Sequence, residues 1–203
     1  MFLATCVVAL FCFIPASSLA PPNCEDLVRP LDHVDGHQLD GRWFLIAYGL
    51  VEPEPLGGNY MVQSWVIEIS NASYTSNTSN LLFERNLRFV NRCEYQSFNI
   101  TLEGNVLSEG KVSSTLIHTS CSDCLLMHTA KGVEANLHLF SKRREVEKEV
   151  MDEFKTQAEC LNSQLPVMMD PSKKLCPDQK PTLPETEDLA EKLKTVENEA
   201  PDA

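Results

Sequence analysis

Beyond Ile14, no stretch of this 203-residue chain is apolar enough to span a bilayer, which argues against integral membrane association. Basic residues are scarce. With 17 Lys and Arg against 29 Asp and Glu, the net charge is −12, so nucleic acid is not an expected partner. Gly-x-Ser-x-Gly, His-Glu-x-x-His and phosphate-loop motifs are missing, and no other catalytic set stands in their place. Enzyme activity is therefore not expected, nor is a cofactor or a resident metal. Internal repeats are lacking too. The apolar run Phe2–Ile14 lacks a Lys or Arg ahead of it. Its length still suits a signal-peptide core and falls short of a membrane span. Small residues follow at Ala16, Ser17, Ser18 and Ala20, so residues 1–18 are expected to leave as a signal peptide. Cleavage after Ala20 is the alternative, and it would leave Pro21 first.

Cysteine is present in quantity. Cys6 and Cys12 would leave with the signal, and Cys24, Cys93, Cys121, Cys124, Cys160 and Cys176 would remain. An even count in an oxidising compartment reads as disulfides, although sequence alone leaves the pairing open. Asn71-Ala72-Ser73, Asn77-Thr78-Ser79 and Asn99-Ile100-Thr101 are N-glycosylation sequons, which fit a secreted surface. Residues 177–203 hold eight acidic residues against three lysines, with several prolines, and are expected to be a disordered tail.

Between these ends, β-prone runs are expected at 43–50, 60–70, 81–89, 93–102, 105–110, 113–119, 123–129 and 134–141, with a Pro- and Gly-rich loop at 51–59. Eight closely spaced strands with short loops imply an antiparallel meander, and eight strands close into a small barrel. From 144 to 161 the period changes. Val146, Val150, Phe154, Ala158 and Leu161 recur at helical spacing, so one amphipathic helix should pack outside the barrel. The expected fold is all-β, an eight-stranded up-and-down barrel spanning 21–176 with one C-terminal helix.

Strand parity separates wall from surface. A glycan on Asn99 must point outwards, and Cys93, Tyr95 and Ser97 share its face. Phe98, Ile100 and Leu102 then point inwards. On the third strand, Phe83, Arg85, Leu87 and Phe89 form a face that is apolar apart from Arg85. Arg85 is either an edge residue reaching solvent or a polar anchor inside the cavity. Cys121-x-x-Cys124 admits three readings: a redox pair, part of a zinc set with His118 and His128, or a local disulfide. Three extended steps cover about 10 Å, whereas a disulfide needs roughly 4.4–6.8 Å between Cα atoms. A bridge therefore requires a tight turn at Ser122-Asp123.

Gly41-Arg42-Trp43 ahead of a β-rich segment, behind a signal, resembles the first signature of the lipocalins. Asp123 keeps one residue of the second signature, and Lys142, followed by Arg143, takes the usual place of the closing arginine. Within lipocalins the chain is similar to the alpha-1-acid glycoprotein and apolipoprotein M branch. The residues concerned are Cys24-x-x-Leu27-Val28-x-Pro30, Arg92-Cys93-x-Tyr95, Phe154-x6-Cys160-Leu161 and Lys174-Leu175-Cys176. Thr119-Ser120-Cys121-x-x-Cys124 and Leu139-Phe140-Ser141-x-Arg143-Arg144-Glu145 resemble the secreted saxitoxin-, tetrodotoxin- and tributyltin-binding proteins of that branch.

The resemblance implies Cys24–Cys160 and Cys93–Cys176 bridges, and leaves Cys121–Cys124 as a local one. It implies a barrel base closed by Gly41, Trp43, Lys142 and Arg143. It favours the inward side for Arg85 and turns His138 and Phe140 to the cavity. The candidate ligand-binding residues are then Leu45, Phe83, Arg85, Leu87, Phe89, Phe98, Ile100, His138 and Phe140. The function implied is that of a secreted, glycosylated, monomeric protein. It would carry or sequester a small hydrophobic or amphipathic ligand, with toxins and xenobiotics among the candidates. Two alternatives stand beside it: an apolipoprotein M-like lipid carrier on lipoprotein particles, and a glycan-dependent acute-phase or immune modulator with no specific ligand.

Overall fold

The structure, a computed structural model, describes residues 23–50, 62–74, 78–129, 135–163 and 166–178. The expected signal segment, the 51–59 loop, Asn77 and the tail from 179 onwards lie outside the described residues. The eight barrel strands are β1 (Gly41–Leu50), β2 (Ser64–Tyr74), β3 (Thr78–Arg88), β4 (Cys93–Glu103), β5 (Val106–Glu109), β6 (Val112–Ile117), β7 (Cys124–Thr129) and β8 (Ala135–Ser141). Each of β2 to β8 pairs antiparallel with its sequence neighbour. β1 pairs with both β2 and β8, which closes the sheet into a barrel. Closure removes the free edges that an eight-stranded sheet would otherwise expose.

Alternation along each strand sends one set of side chains inwards. Trp43, Leu45, Ile67, Ile69, Leu81, Phe83, Ile100, Leu102, Leu107, Leu116, Leu125 and Phe140 form a single buried cluster inside the barrel. The N-terminal arm closes the end where β1 begins, the base. His118 N–H donates to Arg29 O at 2.9 Å, Leu31 N–H to Leu116 O at 3.0 Å and Val34 N–H to Gly104 O at 3.2 Å. Leu31, Val34 and Leu39 thereby reach the interior cluster. The arm carries two single-turn helices, α1 (Cys24–Leu27) and α2 (Gly36–Leu39), whose Asn23 and Asp35 side chains cap them.

A second cluster lies outside the wall. Helix α3 (Lys148–Cys160) buries Val150, Met151, Phe154 and Ala158 against Ile46, Ile117, Leu126, Leu137 and Leu139. Its one buried amide, Gln157, donates from Nε2 to Leu27 O and His118 O, each at 2.8 Å, and so ties helix, arm and barrel together. The helix begins at Lys148 rather than 144. Arg143 turns the corner instead, bonding Asp123 and Glu147 at 2.6 Å each, while Val146 packs against the outer cluster without being helical.

Three disulfides hold the ends: Cys24–Cys160, Cys93–Cys176 and Cys121–Cys124. The first two close long loops, and by the loop-entropy model each contributes at most about 4–5 kcal/mol. The third spans 5.3 Å between Cα atoms across a turn at Ser122 and Asp123. Several strand boundaries depart from expectation, and β2 starts at Ser64 rather than 60. β2 continues to Tyr74 and β3 starts at Thr78, because backbone pairing prolongs this hairpin through polar residues that carry no alternation signal. A short ninth strand, β9 (Val167–Met168), pairs with β1 from outside. Pro177 and Asp178, placed by the sequence reading in the tail, are held by Tyr95 Oη at 2.9 Å and Arg42 at 2.7 Å.

Candidate ligand-binding site

The base is sealed. Gly41 opens β1 at φ 111°, a conformation L side chains rarely adopt, so the chain turns into the strand only with glycine there. Trp43 is buried, and its Nε1–H donates to Leu39 O at 2.7 Å. Lys142 Nζ lies 4.8 Å from the centre of the Trp43 ring, so an ammonium covers the indole where relatives by resemblance would place a guanidinium. Arg143 points away, to Asp123 and Glu147. Its guanidinium holds the Glu147 carboxyl down to about 2 and lowers Asp123 by the same bonding, while Arg143 itself is raised.

Burial falls from base to mouth along several inward faces. On β4, Leu102 and Ile100 are buried, Phe98 is half-buried and Gln96 exposed. On β3, Leu81 and Phe83 are buried while Arg85 and Leu87 are half-buried. Ile67 gives way to half-buried Trp65 on β2, Leu125 to Met127 on β7, and Phe140 to His138 on β8. The lower half is therefore a packed core. The upper half, the lumen, is a belt of half-buried side chains facing the barrel axis.

Aromatic rings line that lumen. Trp65 meets His138 edge-on at 5.3 Å and Phe140 at 5.7 Å, Phe83 stacks on Phe98 at 6.1 Å, and His138 stacks on Phe140 at 6.2 Å. Arg85 lies among them. Its guanidinium carbon is 5.5 Å from the Trp65 ring and 5.3 Å from the Phe98 ring, and it donates to Gln96 Oε1. Arg85 thus stands near the mouth, on the same face of β3 as Phe83 and Leu87. Burial lowers its pKa, while Glu109 and Glu94 act in the opposite direction. His138 is pushed down from 6.5 to about 4, first by burial and then by the Arg85 charge, so it is neutral at physiological pH.

Two donors in this belt are buried without a hydrogen-bond partner: Trp65 Nε1 and Arg85 Nε. Burying such groups unsatisfied is costly unless something binds them. Trp65, Tyr48, Met127 and Gln96 belong to the lumen and were not among the sequence candidates. The faces of Trp65, Tyr48 and Met127 follow only from register, with Trp65 opposite Leu87 and Tyr48 and Met127 both opposite His138, whereas Gln96 shares the parity of Phe98.

Leu45, Phe83, Ile100 and Phe140 stand in the packed interior, and Phe98, Arg85 and His138 in the half-buried lumen. Leu87 is half-buried opposite Glu94 near the mouth. Phe89 is not brought to this group: it lies in the hairpin after β3, where Arg92 covers its ring at 4.7 Å. Asn99 is exposed on the outer face of β4, and Asn71 lies on β2. The Cys121 and Cys124 sulfurs are bonded to each other, and neither His118 nor His128 joins the Cys121–Asp123–Cys124 group. No helix among the described residues is long and apolar enough to cross a membrane.

No family model matches the chain, and no curated protein matches it. Solved structures do. The siderocalin Ex-FABP, described as functioning through dual ligand specificities, matches at 14% identity and a TM-score of 0.55, over 70% of this chain and 99% of its own. Siderocalin Q83, described as having a dual ligand binding mode, matches at 13% identity and a TM-score of 0.52, over 70% of this chain and 95% of its own. At that identity the likeness concerns the fold, and the fold is the lipocalin barrel: eight antiparallel up-and-down strands with one helix packed outside.

Proposed function

We propose that this chain is a secreted binding protein that holds one small amphipathic molecule in the upper lumen, apolar part inwards and polar part at Arg85 and Trp65. The single observation carrying this reading is the Arg85 guanidinium set between the Trp65 and Phe98 rings, with Arg85 Nε and Trp65 Nε1 both unpartnered. Apolar walls with a few orienting donors are the usual chemistry of a small-molecule site. Both orphan groups donate, so the ligand's polar end is a hydrogen-bond acceptor. Function in this reading is affinity and not reaction.

The finer parts of the proposal rest on sequence. Residues 1–18 form the signal, the barrel domain spans 21–176, and 177–203 form an acidic tail. Asn71, Asn77 and Asn99 carry glycans, and the protein works as an extracellular monomer. Its relatives are sought in the alpha-1-acid glycoprotein and apolipoprotein M branch, beside the saxitoxin- and tetrodotoxin-binding proteins. The neighbours' ligand-binding descriptions support a carrier role in general terms. Native mass spectrometry of the secreted protein tests the reading: a bound small molecule is expected on the parent and is lost in Arg85→Ala. A parent free of ligand that also fails to take up fluorescent fatty acids would overturn it.

A further inference from the structure

The barrel wall has a gap near the mouth. β1 and β2 pair from Gly41–Ile69 to Phe44–Val66 and no further among the described residues. β9 takes the edge of β1 that β2 leaves. Ala47 pairs with Met168, Tyr48 with Val167, and Met169 N–H donates to Ile46 O at 2.8 Å. From there residues 169–178 cross to the far side of the gap. Ser64 Oγ donates to Lys174 O at 3.1 Å, Cys176 is bonded to Cys93 at the start of β4, and Tyr95 Oη donates to Pro177 O at 2.9 Å.

Beneath this strap lies a small cleft, lined by Phe44 and Leu45 of β1, Ser64 and Trp65 of β2, and Met169 and Leu175 of the strap. Leu45 belongs to the packed interior, and Trp65 stands above it in the lumen. Met169, although it belongs to a segment outside the sheet, packs against the interior cluster. A side chain that reaches the interior from outside must pass through the wall. We propose that the gap between β1 and β2 is a lateral entrance to the lumen, plugged by Met169 and kept shut by the strap that the Cys93–Cys176 bridge latches.

The reason is mechanical. Parting two barrel strands breaks a ladder of backbone hydrogen bonds, whereas the strap sits on β1 through two residue pairs and is held elsewhere by one disulfide, the Arg42–Asp178 ion pair and single hydrogen bonds from Ser64, Tyr95 and Arg144. Lifting the strap is a local opening that leaves the barrel closed below it. The cleft is mixed in character, with Gln63, Arg144, Asp170 and Pro171 completing its lining beside Phe44 and Leu175.

The inference builds on the lumen as the ligand site, so the test has two readouts, and one needs no ligand. The first is stopped-flow association and release of a fluorescent fatty acid. The second is acrylamide quenching of Trp65, with Trp65→Phe as the blank that isolates Trp43. Three variants are compared with the parent: Met169→Ala, Ser64→Ala with Tyr95→Phe, and Cys93→Ser with Cys176→Ser. The first two keep the disulfide and serve if the third fails to fold. An opened gate raises both rates together, so association and release should each rise about tenfold in Met169→Ala while Kd moves less than about threefold. Trp65 quenching should rise in parallel. Unchanged rates with unchanged quenching overturn the proposal, as does faster release with unchanged association. If the parent binds no fatty acid, the lumen reading fails separately, and quenching alone decides: a rise upholds the gated gap and no rise removes it.

Discussion

The two tryptophans stand on neighbouring strands, and their surroundings have little in common. Trp43, at the base, is buried, donates its indole N–H to Leu39 O and carries Lys142 over its ring. Trp65, near the mouth, is half-buried, leaves its indole N–H unpartnered and meets Arg85, His138 and Phe140. At the base the Trp43 indole N–H finds its acceptor within the chain. At the mouth, donors and ring faces are left for something else. On the proposed reading the base chiefly sets stability, while affinity resides at the mouth.

The largest test is at the base. Trp43→Ala should cost about 3–5 kcal/mol of unfolding free energy, the usual loss for a large buried aromatic, and leave the affinity of the folded fraction unchanged. Urea denaturation beside probe titration checks both. An equally stable variant with weakened binding would place Trp43 in the wrong half.

Acid separates the halves next. His138 has its pKa near 4 in the folded protein against 6.5 ordinarily, so between those values the unfolded chain binds more protons. Stability contributed by the neutral imidazole is complete above about pH 6.5 and is lost as pH falls towards 4, by at most about 3 kcal/mol. His138→Leu should flatten that slope in denaturation curves taken between neutral pH and pH 4. An unchanged slope would mean that other groups carry the acid sensitivity.

At the mouth, Arg85→Ala should weaken a fluorescent fatty acid by roughly 1.5–3 kcal/mol and leave a neutral dye nearly unaffected, because only the carboxylate makes a charge-assisted bond. Equal losses for both probes would make Arg85 a support of the fold. The smallest effect belongs to the base again. Lys142→Ala should lower stability by about 0.5–1 kcal/mol, the worth of an exposed cation over an aromatic face, and Lys142→Arg should restore it. A neutral Lys142→Ala would show that Trp43 is held by packing alone.

Much of the barrel was legible because alternation is a strong signal. Asn99 on one face of β4 and Phe98 and Ile100 on the other required only period two and the premise of an outward glycan. The outer helix was legible from Val150, Phe154 and Ala158, but its start was not. Arg143, by pairing with both Asp123 and Glu147, makes a corner that no local pattern records. β9 was invisible because two residues have no period and owe their strand to an edge that β2 vacates. Trp65 was missed for a related reason. Its direction depends on the register of β2 against β1 and β3, which is a long-range property. Phe89 shows the opposite failure, since parity extended past the end of β3 into a turn where it no longer holds.

The division into a bracing base and a binding mouth is tested most directly by the two indole N–H signals in a 15N spectrum, since the chain holds only two tryptophans. Titration with a fatty acid should shift the Trp65 signal, as its free N–H gains an acceptor, and leave the Trp43 signal in place. A Trp43 signal that moves while Trp65 stays still, or two signals that never move at saturating probe, would contradict the account.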